Sequence, residues 1–143
     1  MIQRLSHTTL FVADQDEAKD FYVNKLGFEV RMDNSMGGDF RWLTVGPKGQ
    51  PDFQIILMKL APFGRMSAEN AEAMKNLIKA GMVAAGVFET ADCRQTYDEL
   101  SARGVKFPSP PEEKFYGIEA VFEDPSGNRF SLTQRKWRDA TSS

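Results

Sequence analysis

The chain repeats itself. An acidic residue ahead of a helix-like segment stands at Asp14 and again at Asp92. A glycine that would stop that helix stands at Gly27 and Gly104, a turn proline at Pro47 and Pro125, and a strand aromatic at Phe53 and Phe130. The pairs keep the same order, and each is separated by 77 or 78 residues. In a chain of 143 residues this leaves room for two copies of one unit and little else.

The unit can be read from its first copy. "RLSHTTLFVAD" alternates about Leu10 and Val12 as a strand does, and "DQDEAKDFYVNKLG" carries Ala18, Phe21, Tyr22 and Leu26 at helical spacing. Asp14 is placed to cap that helix and Gly27 to end it. "FEVRMD", "FRWLTVG" and "PDFQIILMKL" follow as strands, parted by the turn-rich "NSMGGD" and "PKGQP". The second copy has a strand in "VAAGVFETADC", a helix from Asp92 to Gly104, and strands in "VKF", "IEAVFED" and "NRFSLTQ". Between the copies, "APFGRM" reads as a loop and residues 67–80 as a helix capped by Ser67, with Ala71, Met74, Leu77 and Ile78 as its apolar face. The predicted architecture is α+β, with two tandem βαβββ modules at about 4–59 and 82–135, a connecting helix and a tail over 136–143.

Side chains alternate along a strand, so each strand offers one set to its helix and the other to the opposite face. Leu10, Val12, Phe53, Ile55, Leu57, Gly86, Phe88, Phe130 and Leu132 form nearly all-apolar sets suited to the helices. The opposite sets mix chemistry: His7, Thr9 and Phe11; Gln54, Ile56 and Met58; Ala85, Val87 and Glu89; Arg129, Ser131 and Thr133. Apolar walls with a few polar groups are the usual make-up of a small-molecule site.

Composition narrows the classes of partner. A net charge of −2 with scattered Lys and Arg gives no footprint for nucleic acid. No apolar run approaches the ~20 residues that cross a bilayer. The start "MIQRLSH" lacks a signal-peptide-like apolar stretch, and the lone cysteine fits a reducing compartment, so a cytoplasmic location is expected.

"HTTLFVADQDEAKDFYVNKLGFEV" resembles the opening module of the vicinal oxygen chelate superfamily, which includes glyoxalase I, extradiol dioxygenases and bleomycin-resistance proteins. "FEDPSGNRFSLTQ" resembles its closing turn and last strand. The resemblance implies paired modules forming a cupped mixed sheet, often in a homodimer. In metal-dependent members it implies ligands, typically His and Glu, from the first and last strand of each module. Carried onto this chain, those four positions are His7, Gln54, Ala85 and Ser131, and only His7 has the expected type. Ala85 has no donor atom, Ser131 is a neutral hydroxyl and Gln54 brings no charge, whereas a catalytic divalent site needs about three protein ligands. No cofactor is therefore expected. A divalent metal is disfavoured and would need rescue by Glu89 or Glu119.

The expected function is binding of a small organic ligand, with His7 as a donor or base, or else simply hydrogen-bonded to Gln54 or Ser131. Thr9, Phe11, Ile56, Met58 and Val87 would line the pocket. Arg41 and Trp42 would either grip a planar or anionic ligand or divide, Trp42 into the core and Arg41 outward. Glu89 and Glu119 are candidate bases if buried. Cys93 reads as a core thiol and Asp124 as a turn residue. Met66, Met74 and Met82, in or around the connecting helix, suit a lid or a dimer surface. Two rival classes remain open: a metal-dependent glyoxalase-type lyase or dioxygenase with atypical ligands, and a non-catalytic interaction module that has filled its pocket.

Overall fold

The computed structural model describes residues 1–35 and 37–137. The predicted tail falls, from residue 138 onward, outside them. The elements run β1 (His7–Val12), α1 (Gln15–Asp20), a π-helical turn (Phe21–Lys25), β2 (Glu29–Ser35), β3 (Arg41–Gly46), β4 (Gln54–Lys59), α2 (Ala68–Lys79), β5 (Ala84–Glu89), α3 (Cys93–Ala102), β6 (Lys106–Lys114), β7 (Gly117–Glu123) and β8 (Arg129–Arg135). They form two four-stranded mixed sheets, ordered β1-β4-β3-β2 and β5-β8-β7-β6. In each, the first strand of the module runs parallel to the last and the rest pair antiparallel. This is the α+β, two-module architecture that the repeat implies.

Local chemistry sets the element ends. The side chains of Asp14, Ser67 and Asp92 each accept a hydrogen bond from the backbone N–H three residues on, satisfying a donor the helix leaves unpaired. The first helix departs from a simple α-helix where Phe21 and Tyr22 follow one another. Both rings are buried, at 4% and 0% exposure. Adjacent residues on an α-helix point about 100° apart, and the wider π turn brings both rings against the core. The strand expected from "VKF" is longer than that, running to Lys114 through Pro108, Pro110 and Pro111. It is the outer strand of its sheet and its register slips twice, which is where prolines are tolerated in a sheet.

The helix-facing sets of both modules meet in one core. Leu10, Val12, Ile55 and Leu57 join Phe122, Phe130 and Leu132 in a single buried cluster. α1 and its π turn lie at the seam. Phe21 approaches Phe122 at 6.5 Å and Tyr22 meets Phe130 edge-on at 6.3 Å. Two polar ties add to this: the Tyr22 hydroxyl donates to Asp124 Oδ2 (2.8 Å), and Asn128 Nδ2 donates to the Phe11 carbonyl (2.8 Å). Asp124 Oδ1 also accepts the backbone N–H groups of Ser126, Gly127 and Asn128, so its role is the turn the sequence suggests. Gly127 has φ +103°, and a Cβ there would stand 2.5 Å from the Ile78 carbonyl oxygen. The turn presses directly on the end of α2, and only glycine fits. On α2 itself Ala71 and Ile78 are buried, but Leu77, expected on the apolar face, is exposed.

Because the helix-facing sides share that core, the other faces of the two sheets look away from it. No strand of one sheet pairs with a strand of the other among the described residues, and β1 and β5 are both edge strands.

Candidate functional site

The first module's open face carries His7, Thr9, Phe11, Trp42, Thr44, Gln54, Ile56 and Met58. His7 and Gln54 are directly opposite each other in the parallel pairing, as are Thr9 and Ile56, and Phe11 and Met58. His7 does not bond to Gln54 or Ser131 as expected; its Nδ1 lies 2.9 Å from Ser6 Oγ. Gln54 has another partner. The buried Thr44 hydroxyl donates to Gln54 Oε1 at 2.7 Å, which leaves the amide N–H₂ as that side chain's contribution to the face. Thr44 was not foreseen as a site residue, although its alternation with the buried Leu43 and Val45 places it there.

Trp42 and Arg41 part company: Arg41 lines a cavity, as one expectation had it, but Trp42 neither joins it there nor enters the core. Trp42 is half-buried and outside the core cluster. Its neighbours Leu43 and Val45 take the core side, so alternation sets it on the open face. Arg41 turns towards the helix. Its guanidinium donates to both oxygens of Asp33 and to Asp16 Oδ1, at 2.7–2.9 Å. Those bonds, with Lys19 on Asp33, hold the Asp33 carboxyl well below the usual carboxylate range. The Arg41 charge is thus taken up within the protein.

At the end of this face lies a cavity of about 910 Å³, lined by Thr9, Phe11 and Met58 from the strands and by Phe40, Pro62, Phe63 and Met66 from two loops, with Gln15, Asp39, Arg41 and Lys59 as its amide and charged groups. Phe63 is 65% exposed and stacks on Phe40, with centroids 5.1 Å apart. The segment "APFGRM" is therefore more than a connector. A backbone bridge between Phe63 and Met66 folds it back over the cavity mouth. The sequence signal was a Phe between Pro62 and Gly64 in a short loop.

The second module's open face differs in kind. Ser131 is opposite Val87, and Thr133 lies between Glu89 on one side and Glu119 on the other. The Glu119 carboxylate accepts from Tyr116 Oη at 2.7 Å and from Ser131 Oγ at 2.5 Å, and Ser131 Oγ is 3.1 Å from Thr133 Oγ1. Glu89 pairs with Arg135 at 2.7 Å. Val87 is 63% exposed. Ala85 does not join this face. The register shifts between Ala84 and Gly86, and Ala85 packs against the core instead. Tyr116, Thr133 and Trp137 belong here with Glu119. Tyr116 lies between two predicted strands, in a segment given no role from the sequence, and Trp137 lies in the predicted tail. Cys93 is fully buried, its thiol donates to the Leu132 carbonyl, and burial pushes its pKa up.

The four family metal positions do not gather in one chain. His7 and Gln54 stand on one sheet, Ser131 on the other, and Ala85 faces the core. The atom by which Gln54 would ligate, Oε1, is already bonded to Thr44, and the Ser131 proton is committed to Glu119. Among the described residues no three His, Cys, Asp or Glu side chains cluster at ligand distance. This donor set does not fit a divalent ion. No helix among the described residues is long and apolar enough to cross a membrane.

Residues 4–132 match the Glyoxalase/Bleomycin resistance protein/Dioxygenase superfamily, and the chain belongs to it. Within that superfamily it is similar to UcmS2, whose crystal structure superposes with a TM-score of 0.88 at 46% identity, covering 94% of this chain and 99% of that one. It is also similar to TnmS3, an antibiotic binding protein from Streptomyces sp. CB03234, with TM-score 0.73 and 31% identity over 94% of this chain and 98% of that one. The uncharacterized protein YetH of Bacillus subtilis (strain 168) is 33% identical over 134 residues, covering 94% of this chain and all of the relative.

Proposed function

We propose that this protein binds a small, flat, largely apolar organic molecule without a metal ion, and holds it rather than transforming it. The observation that carries the reading is the cavity on the first module's open face. Its size lies within the range of drug-sized ligand pockets, its apolar walls are Phe11, Met58, Phe40, Phe63 and Met66, and Thr9, Gln15, Asp39, Arg41 and Lys59 supply its polar groups. The donor set at the family's metal positions supports the metal-free part, and the likeness to an antibiotic binding protein supports the ligand class.

The protein works as a homodimer in this reading. β1 is an edge strand of sequence HTTLFV, without a charge or a proline, and such an edge is a ready template for another strand. The open faces of one chain look away from each other, so a second copy is what would set a first-module face opposite a second-module face. His7 then acts as a polar contact to the ligand.

The test is titration of the purified protein with 2-naphthol, a neutral flat aromatic, before and after dialysis against a chelator, with the sedimentation coefficient measured in parallel. The expected result is saturable binding at one site per chain, unchanged by the chelator, in a dimer. Affinity that disappears with the chelator and returns with Ni, Zn, Mn or Fe would overturn the metal-free reading. An absence of binding would overturn the ligand class.

A further inference from the structure

The network around Glu119 has a direction. A carboxylate can only accept hydrogen bonds, so the hydroxyls of Tyr116 and Ser131 must both give it their protons. Ser131 has then used its one proton, so the contact with Thr133 Oγ1 must be a bond that Thr133 donates. One carboxylate thus fixes three hydroxyl protons, and the lone pairs of those oxygens are what remains to meet a ligand. The link to Glu119 also raises the Tyr116 pKa, which keeps its proton in place.

The surroundings have the same character. The hollow beside Glu119, about 310 Å³, is lined by Val87, Tyr116, Glu119, Thr133, Arg135 and Trp137. It therefore has two aromatic walls. Its charged lining groups are Glu119 and Arg135, and Arg135 is paired with Glu89 on the neighbouring strand. Lys114, paired with Glu112, is also near enough to act on Glu119 and Tyr116. The three carboxylates Glu119, Glu89 and Glu112 against these two cations leave an excess of one negative charge. Fixed acceptors, net negative charge and aromatic faces are the combination that recognises an organic ammonium group.

We propose that Glu119, Tyr116, Ser131, Thr133 and Trp137 form a subsite for a ligand's protonated amine, and that it excludes carboxylate and phosphate groups. The inference rests on the small-molecule reading but not on the first module's cavity. The ammonium group sits against Glu119 and the hydroxyl oxygens, with Trp137 and Tyr116 covering its C–H surface.

The experiment is a titration of the ¹⁵N-labelled full chain at pH 7 with benzylammonium, benzyl alcohol and benzoate, followed at the Trp137 indole N–H. Benzylammonium is expected to shift that resonance saturably, at least tenfold more tightly than benzyl alcohol, and benzoate not at all. Glu119→Gln should lose at least tenfold in benzylammonium affinity. Trp137 is 57% exposed, so Trp137→Leu is a second variant that leaves the fold and the network in place. Followed at the Tyr116 backbone amide, it should weaken binding severalfold. Equal binding of benzoate, or full affinity in Glu119→Gln and Trp137→Leu, overturns the subsite. If 2-naphthol binds and benzylammonium does not, the subsite fails and the proposed function stands. If benzylammonium binds and 2-naphthol does not, the subsite stands and the flat apolar ligand class fails.

Discussion

On the first module's open face, Gln54 takes the Thr44 proton on its carbonyl and turns an amide N–H₂ outward. On the second module's, Ser131, one repeat length further along, gives its proton to Glu119 and turns lone pairs outward. The first face opens into a roomy cavity under a pair of aromatic rings; the second is a small hollow organised by a carboxylate. The shared plan of the modules sets where side chains stand, and a few substitutions decide whether a face offers donors or acceptors, space or charge. On the proposed reading the two faces are half-sites of different kind, and in the proposed dimer a ligand with an apolar body and an amine edge would use both.

Both faces are built on one core, and the largest predicted effect tests that. Phe122 is 1% exposed and touches Phe21, Phe88, Phe107 and Phe130. Phe122→Ala should cost about 3–5 kcal/mol, read as a drop in urea midpoint with one transition for the whole chain. Two separated transitions would mean that the modules are independent units and that the opposition of their faces is incidental.

The next effect is confined to the first face. Phe63 is exposed, so Phe63→Ala should leave the urea midpoint within about 0.5 kcal/mol of the parent. It should also weaken 2-naphthol binding about tenfold, a change of ~1.4 kcal/mol, mainly through faster dissociation. Benzylammonium binding at the second face should be unchanged. A loss of both affinities would show that the faces are coupled, and the contrast between them would have to be redrawn.

How far this was legible in the sequence follows from the kind of information each feature needs. The modules, the capping aspartates and the helix-facing sets are local and periodic, and alternation about Leu10, Ile55 and Leu132 places them without reference to anything distant. Ala85 was assigned to the wrong face because a single-residue bulge reverses alternation and leaves no mark on composition. His7 meets Ser6 in place of Gln54, and Gln54 takes its partner from Thr44 on a third strand; such choices among near neighbours are settled only by three-dimensional proximity. Tyr116 and Trp137 were missed for a related reason. They lie outside the alternating runs, and what brings Tyr116 to Glu119 is a hairpin turn at Gly117, where a Cβ would lie 2.0 Å from the Gln134 carbonyl oxygen.

The smallest predicted effect concerns charge, and it too differs between the modules. In the first, Arg41 and Lys19 lower the Asp33 pKa; in the second, burial raises that of Asp124 against its hydrogen bonds. The two act on stability with opposite sign. A depressed carboxyl contributes stability that is fully present above its unfolded value, about 3.9, and is lost as pH falls towards the folded value. A raised one contributes stability that is present below about pH 3.9 and lost as pH rises through the folded value. Asp33→Asn should therefore lower stability at pH 7 by less than about 1 kcal/mol, since the ion pairs are partly solvated. Its urea midpoint should approach that of the parent as pH is taken below about 4. If the gap between the two stays constant across that range, the Asp33 pairs with Arg41 and Lys19 carry no net stabilisation. Arg41 would then be held beside Asp33 and Asp16 by packing alone, and raising the salt concentration would not shift it.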